Sequence, residues 1–100
     1  MDKHFVYVLS SFKDGKLYIG QTDRLPEERF REHQSGGVVS TKNRRPLELV
    51  YFEMYKDKRD AIGRELFLKS GSGHRYLKKQ LKNFFESHRG VEQPGSSSGS

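Results

Sequence analysis

The fold of this chain is decided by residues 4–20, which read HFVYVLSSFKDGKLYIG. The segment begins with consecutive aromatic and β-branched residues from Phe5 to Val8, which predict a β-strand. Asp14-Gly15 is the strongest local turn signal, and the KLYIG that follows predicts a second strand, ended by Gly20. The segment therefore predicts a β-hairpin that carries one tyrosine on each strand.

The length of the turn fixes how the two strands pair, and two registers are open. A tight turn centred on Asp14-Gly15 places Ser11 opposite Tyr18 and leaves Tyr7 about 13 Å further along the strand. A longer loop with Gly15 at positive φ places Tyr7 directly opposite Tyr18. Both registers put the two tyrosines on one face of the sheet. Taken singly, each tyrosine is a candidate core residue as well as a candidate functional one.

Turn residues and apolar periodicity predict one more strand and three helices after the hairpin. These are a helix from Pro26 to about His33, a strand at 47–55, a helix capped by Asp57 that runs to about Ser70, and a helix at 74–85. Apolar residues occupy both sides of the strand at 47–55, which predicts that both its faces are largely covered. The predicted class is α+β, a small three-stranded antiparallel sheet flanked by helices, in the order β-β-α-β-α-α.

The chain has 100 residues, which predicts a single domain, placed at residues 1–88, and a disordered Gly/Ser-rich tail at 89–100. The absence of cysteine excludes a disulfide framework and thiolate metal sites. The longest apolar run near the N-terminus, Phe5–Leu9, is too short for a signal peptide or a membrane span. We therefore expect a cytoplasmic protein without a membrane partner.

The charge of the chain favours a polyanionic partner. The formal net charge is +6, and because the last ten residues carry a single Glu and no Lys or Arg, residues 1–90 carry +7. A compact basic domain of this kind is typical of nucleic-acid-binding proteins, with a basic protein that has no such partner as the alternative. The residues predicted to contact nucleic acid are Lys42, Arg44, Arg45, Lys69, Arg75 and Lys78.

Glu65 is the most informative single residue of the second predicted helix. Its helical neighbours are Ala61, Ile62 and Leu68, so a carboxylate falls within an apolar stripe. This placement is unfavourable unless the carboxylate is paired, coordinates a metal or lies at the edge of a cleft. An ion pair with Lys69, four residues later, is the alternative interpretation.

Arg29 and His33 lie four residues apart and therefore share one face of the first predicted helix. A guanidinium can bind a phosphate in a bidentate manner, while a solvated helix face beside Glu28 and Glu32 is the alternative. Together with the tyrosines and Glu65, Arg29 completes what metal-assisted phosphodiester hydrolysis requires: a proton acceptor, a cation at the phosphate and a carboxylate for one metal ion. A single carboxylate suits Mg²⁺.

These segments resemble the GIY-YIG nucleases, and in particular their small single-domain members. The YIG element is literal at Tyr18-Ile19-Gly20, and Phe5-Val6-Tyr7 stands at the GIY element with Phe5 in place of its glycine. The sequence from Arg29 to His33 looks like the helix motif of the family. STKNRRPLELVYFE and AIGRELFLKSG resemble its later segments, so that the resemblance covers residues 4–85.

The resemblance implies a DNA endonuclease that depends on Mg²⁺ or Mn²⁺ and acts in DNA repair or recombination. It implies that Tyr7 or Tyr18 helps to activate the attacking water, that Arg29 stabilises the phosphate and that Glu65 holds one divalent ion. His33 matches a recurring histidine of the family and is not assigned as the base. Specificity would come from DNA shape or from a partner protein. The rival hypotheses are a non-catalytic nucleic-acid-binding module and an interaction domain whose basic face binds an acidic protein.

Overall fold

The computed structural model describes residues 2–89. The strands are β1 (His4–Ser11), β2 (Leu17–Thr22) and β3 (Leu47–Tyr55), the helices are α1 (Pro26–Gln34), α2 (Lys58–Lys69), α3 (Gly71–Gln80) and α4 (Lys82–Arg89), and Lys42–Arg44 forms a 3₁₀ turn. Residue contacts divide the chain into a first unit, Met1–Leu66, and a second unit, Phe67–Ser100. The predicted domain boundary at residue 88 stays a prediction, and the predicted tail, apart from Arg89, lies outside the described residues.

The predicted α+β class is confirmed. The three strands form an antiparallel sheet in the order β2-β1-β3, so the most buried strand, β1, is central. Within β1, every residue from Phe5 to Leu9 is buried. On β3, by contrast, Phe52 and Met54 are 42% and 47% exposed, so the prediction that both faces of this strand are covered is wrong. No helix within residues 2–89 combines the length and the apolar composition that a membrane span requires.

The hairpin pairs in a register that lies between the two predicted ones. Tyr7 pairs with Gly20 and Leu9 pairs with Tyr18, so the tyrosines share one face as predicted but are diagonal rather than directly opposite neighbours. Ser11 sets this register. Its hydroxyl accepts hydrogen bonds from the backbone N–H groups of Lys13 and Asp14, and its carbonyl accepts one from the backbone N–H of Gly15. These bonds close a four-residue loop, in which Gly15 has the predicted positive φ, 72°.

Gly20 does not end β2, as the sequence suggested, because the strand continues to Thr22. Its role is to leave space for its partner across the strand pair. A Cβ atom at Gly20 would lie 2.5 Å from both Cζ and Oη of Tyr7. The glycine of the YIG element therefore allows the ring of Tyr7 to lie across β2.

We expect Gly20→Ala to lower the free energy of unfolding by about 1–3 kcal/mol, because the buried ring of Tyr7 must move to admit the methyl group. Urea denaturation measures this change. Gly63→Ala in α2 is the matched control, since a Cβ atom there meets nothing within 4 Å. The control should be neutral or stabilising by up to about 1 kcal/mol, because alanine favours the helix. Equal stability of Gly20→Ala and the wild type would contradict the steric role.

The helices follow the predictions closely in the first unit and less so in the second. α1 begins at Pro26 as predicted, and Asp57 caps α2 by accepting the backbone N–H of Arg59 at 2.9 Å. The last predicted helix is two helices, which Leu81 separates. α3 also begins earlier than predicted, because the Ser70 hydroxyl accepts the N–H of Gly73 and caps the helix from Gly71.

Candidate active site and nucleic-acid interface

Four of the five predicted catalytic residues come together where α1 packs on the sheet. Oη of Tyr7 lies 2.8 Å from Nε2 of His33, and Nε of Arg29 donates to the same phenol oxygen at 3.4 Å. The ring of Tyr18 is centred 5.0 Å from that of His33 and 6.3 Å from that of Tyr7. We call Tyr7, Tyr18, Arg29 and His33 the tyrosine group.

Local structure explains why α1 delivers Arg29 and His33 together. Pro26 at the first helical position fixes where the helix starts, and residues three or four positions apart then share one face. Phe30 packs against the core cluster of Tyr7, Leu9 and Leu47 and so holds this face toward the sheet. The core interpretation of Tyr7 is therefore correct, since its ring is packed, while its hydroxyl is hydrogen-bonded and its functional role stays a prediction.

His33 is fully buried and uses both ring nitrogens. Nε2 meets Tyr7, and Nδ1 lies 2.8 Å from Oγ1 of Thr41, which is also fully buried. Burial, assisted by the positive charge of Arg29, lowers the pKa of His33 to about 4. The imidazole is therefore neutral at pH 7, with one nitrogen donating and the other accepting. Sequence reasoning missed Thr41, because no periodicity or charge distinguishes it within the basic connector.

This buried histidine should make the protein less stable in mild acid. The pKa of His33 is lower in the folded state than its ordinary value of 6.5, so the unfolded chain binds the proton more tightly. Stability is then complete above pH 6.5 and is lost as the pH falls toward 4. Between pH 7 and 5 we expect the free energy of unfolding to fall by about 2 kcal/mol.

Urea denaturation of the wild type and of His33→Gln at both pH values checks this prediction. The carboxylates with lowered pKa values lose their contributions only at lower pH, so the window from 7 to 5 isolates the histidine. His33→Gln should lack most of the pH dependence. An undiminished dependence in that variant would assign the effect to another group.

Tyr7 and Tyr18 differ in access to solvent. Tyr7 is 1% exposed, and burial raises its pKa to about 12, although the hydrogen bond that Arg29 donates opposes the shift. Tyr7 is therefore a neutral phenol at pH 7 that water does not reach. Tyr18 is only half-buried. The two tyrosines can thus perform different tasks.

Arg29 is held in one orientation by two contacts. Besides the bond from Nε to Tyr7, Nη1 donates to Oε1 of Glu32 at 2.6 Å, and Arg24 binds the same oxygen at 2.6 Å. Hydrogen bonds from Arg24 and Arg29 hold the pKa of the Glu32 carboxyl below its usual range. The Arg29 side chain remains 29% exposed, so its fixed guanidinium can still meet a ligand.

Glu65 lies on a different element from the tyrosine group. It is half-buried on α2 between Ala61 and Leu68, both fully buried, so the predicted apolar stripe is present around it. Its exposed neighbour Ile62 is 41% accessible, which places Glu65 at the edge of that stripe. Among residues 2–89 there is no group of three or more His, Asp or Glu side chains that could hold a metal.

The neighbouring Arg64 ties α2 to β3 in the first unit. Its guanidinium donates to both carboxylate oxygens of Glu53, which also accepts the hydroxyls of Tyr51 and Tyr55 at 2.6 Å. Although burial opposes ionisation, these donors hold the pKa of Glu53 below its ordinary value. Glu53 alternates with Phe52, the partner of Tyr7, so this network lies on the sheet face opposite Tyr7. The network therefore links β3 to α2, the helix that carries Glu65.

The predicted nucleic-acid contacts in the first unit have different surroundings. Arg44 is 25% exposed, lies 3.5 Å from the carboxylate of Asp14 and donates to the carbonyl of Leu17. It therefore links the 3₁₀ turn to the hairpin. Lys42 and Arg45 are exposed on the same turn. In the second unit, Arg75 and Lys78 lie on α3 and are exposed, as is Lys69 at the end of α2.

The sequence model of the GIY-YIG catalytic domain matches residues 3–87, and the tyrosine group lies within this range. The chain therefore belongs to the GIY-YIG family, a family of endonucleases that act on DNA. The resemblance noted from the sequence is confirmed.

Within this family the chain is similar to the UPF0213 proteins of several bacteria. It is 43% identical to that of Staphylococcus saprophyticus over 79 residues, which cover 78% of this chain and 94% of the relative. It is also 43% identical to that of Clostridium perfringens over 67 residues, covering 66% and 70%. The solution NMR structure of the UPF0213 protein from Bacillus halodurans is 35% identical, with a TM-score of 0.49 and coverage of 82% and 84%.

Proposed function

We propose that this protein is a cytoplasmic, divalent-metal-dependent DNA endonuclease that hydrolyses phosphodiester bonds in DNA repair or recombination. The observation that carries the proposal is the convergence of Arg29 and His33 on the hydroxyl of Tyr7, beside Tyr18. Family membership supplies the reaction class. Specificity is proposed to come from DNA shape or from a partner protein.

The difference in exposure suggests how the two tyrosines divide the work. Tyr18 is the half-buried one, so we assign it the contact with the attacking water. Tyr7 is inaccessible, and its hydroxyl lies between His33 and Arg29 and also interacts with Tyr18. Tyr7 therefore acts behind Tyr18, because its ring packs beside that of Tyr18 and helps to hold it in place.

Arg29 is assigned to the scissile phosphate. A guanidinium fixed by Tyr7 and Glu32 is preorganised, so it need not reorder when negative charge develops on the phosphate oxygens. His33 and Thr41 lie behind Tyr7 and serve as positioning residues rather than as groups that touch the substrate. Both residues would act by fixing the orientation of the hydrogen bond between the Tyr7 hydroxyl and Nε2 of His33.

Thr41→Val removes the hydroxyl beside Nδ1 of His33 with little change of shape. We expect the neutral imidazole to shift toward the other tautomer and the cleavage rate to fall about fivefold, as the loss of about 1 kcal/mol of hydrogen bonding predicts. The ¹⁵N chemical shifts of the His33 ring report the tautomer directly. Thr41→Ser keeps the hydroxyl and should restore both the shifts and the rate, while unchanged ring shifts in Thr41→Val would refute the positioning role.

The metal is assigned to Glu65. A single half-buried carboxylate fits Mg²⁺ or Mn²⁺, because these ions keep several waters and take further oxygen ligands from the substrate phosphate. When bound, such an ion supplies Lewis-acid stabilisation of the charge on the transferred phosphoryl group. The protein side chains then have three tasks: Glu65 binds the ion, Arg29 binds the phosphate and Tyr18 binds the water.

A cleavage assay on branched, flap and linear DNA, with Mg²⁺ or Mn²⁺ against EDTA, tests the proposal. We expect cutting of branched or flap DNA that EDTA abolishes and added Mg²⁺ restores. Salt-sensitive DNA binding without cutting under either metal would instead indicate a non-catalytic nucleic-acid-binding module. Absence of DNA binding, with capture of an acidic protein, would indicate an interaction domain.

A further inference from the structure

A cavity of about 530 Å³, widely open to solvent, lies on the surface of the first unit, and no member of the tyrosine group lines it. Its lining residues are Lys13, Gln34, Lys42, Asn43, Arg45 and Pro46. Three of them are cationic and none is acidic. We call this the basic cavity.

Two of the three cations of the basic cavity, Lys13 and Arg45, are held in place by backbone carbonyls. Nζ of Lys13 donates to the carbonyl of Asn43 at 3.1 Å. Nε of Arg45 donates to the carbonyl of Lys42 at 2.9 Å, and Nη1 donates to that of Gln34 at 3.3 Å. Carbonyl oxygens fix these side chains but leave their full positive charge available to an anion.

Two further features preserve this arrangement. Gly36 has a positive φ of 90°, and a Cβ atom there would lie 3.0 Å from Nη1 of Arg45, so the glycine leaves room for the guanidinium. Asp14, which follows Lys13 in the chain, lies by Arg44 and accepts the backbone N–H of Lys16. The nearest carboxylate in sequence is thus engaged by an arginine outside the basic cavity.

The basic cavity adjoins the buried side of the tyrosine group. Gln34 follows His33 and Lys42 follows Thr41, and consecutive Cα atoms are about 3.8 Å apart. The hydrogen bond between His33 and Thr41 joins the two segments that line the cavity, and the same histidine binds Tyr7. An anion in the cavity would therefore lie close to the group that we assign to cleavage.

We infer that the basic cavity binds a phosphate of the DNA backbone other than the scissile one and thereby sets where the strand enters the site. This inference rests on the proposed function for the identity of the substrate. The predicted DNA contacts then include Lys13, which sequence reasoning did not select. Lys42 and Arg45 keep their predicted role as DNA contacts, whereas the side chain of Arg44 binds the hairpin. A contact of this kind gives affinity and position without sequence preference.

The test compares two double variants of equal net charge. Lys13→Gln with Lys42→Gln removes two of the three cations of the cavity, while Lys3→Gln with Lys56→Gln removes two exposed lysines at the opposite end of the sheet, where His4 pairs with Tyr55. All four side chains are exposed, so both proteins should fold. Binding to a fluorescent branched DNA is measured by anisotropy in EDTA, over a range of salt concentrations.

We expect the cavity variant to bind DNA more weakly at low salt and to reduce the salt dependence by about one phosphate contact, with the control variant close to wild type. Identical salt slopes for the two variants would overturn the inference and leave the nuclease proposal intact. Failure of the wild type both to bind and to cut DNA would instead overturn the nuclease proposal.

A parallel NMR titration separates DNA from a free anion as the source of the phosphate. Branched DNA should shift the backbone amides of Asn43 and Arg45 in the wild type and not in the cavity variant. Inorganic phosphate at equal concentration should shift them little, because it lacks the neighbouring contacts of a strand. Saturable shifts with inorganic phosphate and none with DNA would identify a small-anion site and overturn the inference.

Discussion

Arg29→Lys is expected to slow DNA cleavage by about 10²–10³-fold while DNA binding changes little, because the preorganised guanidinium at the developing charge is replaced by an ammonium that Tyr7 and Glu32 do not hold in the same way. Lysine keeps the charge but lacks the planar fork, so it cannot bind Tyr7, Glu32 and a phosphate at once. The substitution should therefore lower the cleavage rate of the enzyme–DNA complex and leave the affinity for DNA nearly unchanged. Single-turnover cleavage with saturating enzyme measures that rate.

Arg31→Lys is the matched control for this prediction. Arg31 lies on the same helix two residues later, is exposed and so presents a different face of α1. The control should cut DNA at nearly the wild-type rate. Equal activity of Arg29→Lys and Arg31→Lys would show that the tyrosine group uses only the charge of Arg29, or does not use the residue at all. Urea denaturation of both variants distinguishes lost chemistry from lost folding.

Glu65→Gln is expected to reduce cleavage by about 10³-fold or more, because metal stabilisation of the phosphoryl group is worth several kcal/mol. The substitution keeps size and hydrogen-bonding capacity while it removes the charge that would bind the ion. Raising the Mg²⁺ or Mn²⁺ concentration should recover part of the activity if the amide still ligates weakly. Cleavage rates across a metal titration measure both effects.

Asp60→Asn controls for the loss of one negative charge on α2, since Asp60 is exposed in the first turn of the same helix. It should leave the metal dependence unchanged. A Glu65→Gln protein with wild-type activity would reject the metal assignment. In that case a metal ligand would be sought on elements other than α2, because the Arg64–Glu53 pair holds α2 to the sheet face opposite Tyr7.

Much of the fold could be predicted from local sequence. Four adjacent strand-forming residues, the Asp14-Gly15 turn, Pro26 and the Asp57 cap each act within a few residues, and the structure contains the elements that they predict. The ends of the third helix were harder to predict. The helical spacing of apolar residues continues through Leu81, so it predicts one helix where the structure has two. The Ser70 cap and the break between α3 and α4 depend on individual side chains and backbone angles.

The candidate site was predictable only in part. The sequence singled out Tyr7, Tyr18, Arg29 and His33, and the structure brings them together. It did not indicate Lys13, which belongs to no periodic pattern or motif, and it did not single out Thr41 within the STKNRRP segment. Each acquires its role from partners that are distant in sequence: Thr41 from His33 and Lys13 from Asn43.

The sequence by itself determined the hairpin, the starts of the first two helices, the shared face of the two tyrosines and the family, because these depend on local propensity, on strand alternation and on the order of motifs. Only the tertiary structure decided that Tyr7 lies across Gly20, that His33 is a buried neutral link between Tyr7 and Thr41, and that three cations line one cavity. The physical reason is that register and burial are set by contacts across the sheet and between segments. A strand pattern fixes which face a side chain occupies, but the loop that closes the hairpin fixes which residue lies opposite it.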